Sequence, residues 1–168
     1  MALLAQYQTL KPGRIEHSVA VAQFALRMGR ILAENGVALH LALIEAAALL
    51  HDIRKGEPEH DRVGGDLLRS LGYPEVAAVA EVHTRLGGRV PAPGDPILED
   101  EVVYMADKSY RGTRLVSIEE RYGIWKKTWE ADPEKMASLN HGEQRALTVK
   151  RRIEKAMGRK IEEVALAE

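Results

Sequence analysis

The stretch that most constrains this chain runs over residues 39–53. After His40 it is apolar almost throughout, interrupted only by Glu45 and closed by His51-Asp52. A helix that is apolar all round is a buried helix, so this segment is expected to cross the middle of the domain. It ends on two polar side chains that an apolar interior tolerates only when they have partners.

The flanking sequence also reads as helix. Lys11-Pro12-Gly13 breaks the chain; Val21, Phe24, Met28 and Ile31 then recur at helical spacing until Asn35-Gly36 stops the run. A helix over roughly 61–71 carries Val63, Leu67, Leu68 and Leu71. Gly72 ends it, and Pro74 suits the first turn of the next. A Gly/Pro-rich loop over 87–96 leads to a helix over roughly 99–110. Ser117 with Glu120, and Asn140 with Glu143, read as capping boxes that open two further helices. The first carries Trp125 and Trp129 on one face; the second runs through Leu147, Val149, Ile153 and Met157 to Gly158. No segment reads as a sheet. With 168 residues, 45% of them hydrophobic but only 5% aromatic, the core must be mainly Ala, Leu, Val and Ile. The expected fold is an all-α, compact single-domain helical bundle.

Charge and composition exclude several functions. The 24 basic and 25 acidic residues leave a formal charge of −1, with no bulk electrostatic reason to bind nucleic acid or an anionic membrane. The chain has no cysteine, so disulfides, thiolate ligands and a Cys nucleophile are out, and any transition metal would be held by His and carboxylate. No apolar run approaches the roughly 20 residues that span a bilayer. The short apolar piece over 2–5 has no basic residue before it, unlike a secretory signal. A cytoplasmic location is expected.

Six polar residues fall on inward-facing helical positions. His17 lies four before Val21, His60 leads the row through Gly64, Leu67, Leu68 and Leu71, and His83 continues Val76, Val79 and Ala80. Asp107 lies four after Val103, and His51 with Asp52 ends the most apolar helix. One inward histidine is most often a hydrogen-bonded core residue. Six inward polar groups on five helices are better explained by a shared metal, which neutralises carboxylates and uses imidazole lone pairs.

The order His17, His51-Asp52, His60, His83, Asp107 resembles that of the HD-domain metal-dependent phosphohydrolases, over about two-thirds of the chain (13–114). Residues 49–55, His83-Thr84, residues 101–107 and His60 with Gly64 most resemble the branch containing the bacterial symmetrical diadenosine tetraphosphate hydrolases. The resemblance implies an HD-type bundle with a metal-binding core over 14–115, a lead-in over 1–13 and a C-terminal helical extension over 116–168 packed on the core. It implies that His17, His51, Asp52 and Asp107 hold one divalent ion, and that His60 and His83 complete a second with Asp52 bridging. Iron or manganese come first, with zinc, magnesium or nickel as substitutes in a preparation.

The implied activity is hydrolysis of a phosphoanhydride or phosphoester of a nucleotide, with symmetrical cleavage of diadenosine tetraphosphate to ADP as the narrow form. Asp52 and Lys55 would be catalytic; Lys55, Thr84, Arg85, Arg111 and Arg114 would contact substrate. The likeness to that branch stops after Asp107, where Lys108, Arg111 and Arg114 replace an acidic-proline segment followed by arginine, which leaves the dinucleotide preference open. Residues 108–121 are similar to HD domains found beside or fused to molybdenum-cofactor-type nucleotidyltransferases, so association with such an enzyme is one expectation, and a homodimer another. Two alternatives stay open: a mononuclear 5′-nucleotidase using only His17, His51, Asp52 and Asp107, and a metal-containing module that senses a nucleotide. His40, His141 and the Lys150-Arg151-Arg152 cluster read as surface features, and Trp125 and Trp129 as packing anchors.

Overall fold

A computed structural model describes Leu3, Gln6 and residues 13–166, without the side chain of Leu166. The lead-in assigned to residues 1–13 therefore lies almost wholly outside the described residues. Among these, eight α-helices carry the fold: α1 (Arg14–Glu34), α2 (Leu41–Leu50), α3 (His60–Ser70), α4 (Pro74–Ala80), α5 (Glu99–Ser109), α6 (Ile118–Thr128), α7 (Pro133–Met157) and α8 (Ile161–Leu166). The all-α class holds.

Helix α1 buries the stripe Val21, Phe24, Ala25, Met28 and Leu32. It lies close against α2 because Gly29 has no side chain: a Cβ there would meet Leu41 Cδ2 at 3.0 Å and Ile44 Cδ1 at 3.2 Å. The local signals act where the sequence carries them. Asn35 and Gly36 terminate α1, Pro74 sits in the first turn of α4, and the Ser117 hydroxyl accepts from the Glu120 N–H at 3.0 Å to open α6.

Three features differ from the reading of the sequence. The most interior helix is α5, in which every residue from Glu101 to Ser109 is buried. In α2 only Ile44, Ala47 and Ala48 are buried. The charged helix can occupy the interior because its charges have partners: Glu101 faces Arg89 at 3.5 Å and Arg152 at 3.2 Å, and Asp107 pairs with Lys108 at 2.8 Å.

The second difference is at Asn140, which opens no helix. Asp132 accepts from the Lys135 N–H at 3.0 Å, Pro133 takes the first position, and α7 runs unbroken past Asn140, which stays exposed. The third is a small antiparallel hairpin, β1 (Tyr110–Arg111) with β2 (Arg114–Leu115), where the sequence showed no sheet. Its turn uses the left-handed backbone of Gly112, φ 62°.

Candidate metal centre and its cleft

The six polar residues come together at one place, delivered by different elements. His17 comes from the first turns of α1, His51 and Asp52 from the end of α2, and His60 from the start of α3. His83 lies in the turn after α4, and Asp107 near the end of α5. Glu59, just before His60, holds a left-handed backbone, φ 50°, a locally costly conformation for a non-glycine residue that sets the entry of α3.

Asp52 is the centre of the arrangement. Its Oδ1 lies 3.3 Å from both His60 Nε2 and His83 Nε2, and its Oδ2 lies 3.6 Å from His51 Nε2. His51 Nε2 is also 3.7 Å from Asp107 Oδ1, which lies 3.4 Å from His17 Nε2. The imidazoles stand edge to face in a row, with centroids 5.4 Å apart for His17–His51, 4.8 Å for His51–His83 and 5.4 Å for His83–His60.

The other ring nitrogens are held from behind. Nδ1 of His51 donates to the Ala48 carbonyl at 2.7 Å, Nδ1 of His83 to Ala80 at 2.6 Å and Nδ1 of His17 to Gly112 at 2.8 Å. The small hairpin thus fixes the His17 ring through the Gly112 carbonyl. With Nδ1 donating, a neutral imidazole turns its Nε2 lone pair inward. Burial pushes His51 down to about 4, against the opposing pull of Asp52 and Asp107, so this ring is neutral at pH 7. Its Nε2 is buried without a hydrogen-bond partner. Lone pair therefore faces carboxylate oxygen across 3.6–3.7 Å, an arrangement that a cation between them would satisfy.

The carboxylates are held ionised. Burial opposes the charge of Asp52, but His51, His60, His83 and Lys55 outweigh it and keep the carboxyl below the usual range. Burial likewise opposes Asp107, and Lys108, His17, Arg121 and His51 bring it well below that range. Two groups, His17–His51–Asp107 and His51–Asp52–His83, have donor atoms close enough together to hold a metal ion. Their nitrogen-and-carboxylate chemistry fits a divalent transition metal.

Two cavities open on the two sides of this cluster, of about 500 and 590 Å³. Lys55, Asp107, Arg121 and Trp125 line both. The first reaches His17, with Arg14 and Arg111 on its wall. The second reaches His60 and His83, with Thr84 and Arg85.

Lys55 Nζ lies 3.2 Å from Asp52 Oδ1 and 3.4 Å from His60 Nε2. Thr84 donates its hydroxyl proton to Asp61 Oδ2 at 2.6 Å. Arg114 is not brought to the cluster: it is exposed on β2 and pairs with Glu120. Lys108, by contrast, is buried, donates to Asp107 at 2.8 Å and sits over the Tyr104 ring at 4.9 Å. His141 is exposed on α7 yet lines the second cavity.

Two cleft residues escaped the reading of the sequence. Arg14 bonds the Lys55 carbonyl and packs against Gly56. Arg121 bonds the Tyr110 carbonyl and stands 3.6 Å from Asp107 Oδ1. The signal for Arg121 was its position one turn before Trp125 on a helix whose start was marked.

A helical bundle whose interior histidines and aspartates converge at one end, beside a basic cleft, is the frame of a helical protein that could hold a metal. The chain matches the HD domain family over residues 14–112 and belongs to it. Proteins of this family are generally metal-dependent hydrolases. An uncharacterized protein of Methanocaldococcus jannaschii is 32% identical over 120 residues, covering 63% of this chain and 71% of the relative. No solved structure matches significantly. Among the described residues, no helix is long and apolar enough to cross a membrane.

Proposed function

We propose that the protein is a metal-dependent phosphohydrolase that cleaves a phosphoanhydride or phosphoester of a nucleotide. The observation that carries this reading is Asp52, whose two oxygens face different parts of the cluster, His60 and His83 on one side and His51 on the other. In this reading His17, His51, Asp52 and Asp107 would hold one divalent ion, and His60 and His83 together with Asp52 would hold a second. Iron or manganese is the expected metal. Such a pair supplies activated water and Lewis-acid charge to the phosphoryl oxygens of an in-line displacement.

The chain's own groups do the rest. Backbone carbonyls orient the His17, His51 and His83 rings, and Asp52 brings negative charge to face His51, His60 and His83. Lys55 sits where an ammonium can meet a phosphoryl oxygen or give a proton to the departing one. Arg111 and Arg85 place guanidinium charge on opposite cavities, where a phosphate chain would extend. Thr84 keeps its hydroxyl oxygen at the cavity while its proton is committed to Asp61. The narrow form of the reading is symmetrical cleavage of diadenosine tetraphosphate. The cavities on either side of the cluster would take the two ends of such a molecule.

The test is chromatography of the products formed from diadenosine tetraphosphate by iron- or manganese-loaded protein. ADP as sole product supports the narrow form; mononucleotide or ester cleavage alone supports the broader one. Asp52→Asn is expected to abolish turnover and weaken metal retention, measured by elemental analysis alongside the assay. Full activity in that variant overturns the reading.

A further inference from the structure

The geometry points to α6 as the element that reads the organic end of the substrate, through a ring-binding subsite formed by Trp125 and Trp129. This rests on the phosphohydrolase reading above. Arg121, Trp125 and Trp129 are spaced four apart, so they form one stripe along α6 and its C-terminal cap. Arg121 begins the stripe at the cluster, 3.6 Å from Asp107 Oδ1. Its side chain is only 15% exposed, and its Nε is buried without a hydrogen-bond partner.

Trp125 comes next, lining both cavities, with the Arg121 guanidinium 4.9 Å from its ring centre. Tyr122 braces it edge to face at 5.0 Å. Trp129 ends the stripe, 42% exposed on the wall of the second cavity opposite His141 and Arg145 of α7. Lys135 of α7 places its ammonium over one face of the Trp129 ring, 3.2 Å from the ring centre, an exposed contact of the weak class.

The order along the stripe is cation, aromatic, aromatic, leading outward from the cluster. Four residues of helix advance about 6 Å, so the stripe steps from a phosphate position to a ring position as a nucleotide does from phosphate to base. Stacking on tryptophan accepts any flat base, and a neighbouring guanidinium strengthens it. The whole stripe lies outside residues 14–112, the part that matches the family. Ring recognition would thus rest on residues beyond the shared core. The ligand class is a phosphate ester that carries a flat aromatic ring, with a nucleoside 5′-phosphate as its simplest member.

The chain has only two tryptophans, both in this stripe, so its intrinsic fluorescence reports on the subsite. Full-length, manganese-loaded protein is titrated with adenosine 5′-phosphorothioate, and with ribose 5-phosphate as the ringless control. The expected result is saturable quenching by the first, at an affinity about tenfold or more above the second. Trp125→Ala is expected to erase that preference and Trp125→Phe to keep most of it, which separates stacking from a folding defect. Equal affinity for the two ligands, or an unchanged preference in Trp125→Ala, overturns the subsite. Phosphate release from adenosine 5′-phosphate and ribose 5-phosphate, and ADP release from diadenosine tetraphosphate, are followed in parallel. Release without ring preference sinks the subsite and spares the hydrolase reading; ring preference without any release does the reverse.

Discussion

At the scale of single residues, the cluster works by burying imidazoles and carboxylates against one another. His51 is the clearest case: burial pushes it down to about 4, below the ordinary histidine value of 6.5. Between those two values the unfolded chain binds a proton that the native protein refuses. Stability of the metal-free protein is therefore expected to fall as pH drops from about 6.5 toward 4. His17 has the opposite sign. Burial opposes its charge, but Asp107 outweighs it, so its contribution is present below 6.5 and is lost as pH rises through its higher folded value. Titration of the imidazole resonances by NMR, with thermal melts at matching pH, checks both signs; a His51 resonance titrating near 6.5 contradicts the burial argument.

Lys108 offers a second test at this scale, because it is the one ammonium buried against Asp107 among the described residues. Lys108→Met removes the charge while keeping the stem, leaving Asp107 with less compensation. A loss of about 3–5 kcal/mol is expected in metal-free protein. The loss should shrink on metal loading, when a cation meets the same carboxylate. Urea unfolding with and without metal measures both; an equal loss in the two states means Lys108 and the metal do not share Asp107.

At the scale of elements, much of the architecture was legible in short-range signals and some of it was not. Stops such as Asn35-Gly36, starts such as Pro74, and the Ser117 cap act within four residues, so they can be read without the fold. The inward rows of His17, His60 and Asp107 could be read the same way, from helical periodicity. What escaped depends on distant partners. Helix α5 looks like a surface helix until Glu101 meets Arg152, 51 residues further on. Arg121 looks like a solvated charge until α6 turns it onto Asp107. The hairpin was invisible because two residues per strand carry no alternation to detect.

Asn140 was misread for another reason: a capping pattern can sit inside a helix already opened by Asp132-Pro133. Asp132→Ala is accordingly expected to cost about 1 kcal/mol. Asn140→Ala should be neutral or stabilise by a few tenths of a kcal/mol, since alanine is the better helix former at an exposed interior position. Urea denaturation of the two variants decides; a large loss at Asn140 alone would restore it as a helix start.

At the scale of the whole molecule, the cluster gathers residues from 17 to 107, and so joins the start of the chain to its central helix. A ligand that binds only the assembled cluster stabilises the entire fold. Metal-stripped protein is expected to melt at lower temperature and to recover as manganese or zinc is added. A hundredfold excess over the dissociation constant contributes about 2.7 kcal/mol, or very roughly 5–10 °C for a chain of this size. A melting temperature indifferent to metal would show that the cluster does not take one.

Asp52 carries a consequence that reaches beyond structure. Because it gives one oxygen to the His60–His83 side and the other to the His51 side, filling either side changes the electrostatics and the freedom of the donor the other must use. Two occupancies that share a donor are linked, and each alters the affinity of the other by the same factor. If both sides fill, metal uptake would follow a single coupled isotherm, with the second ion's affinity set in part by the first.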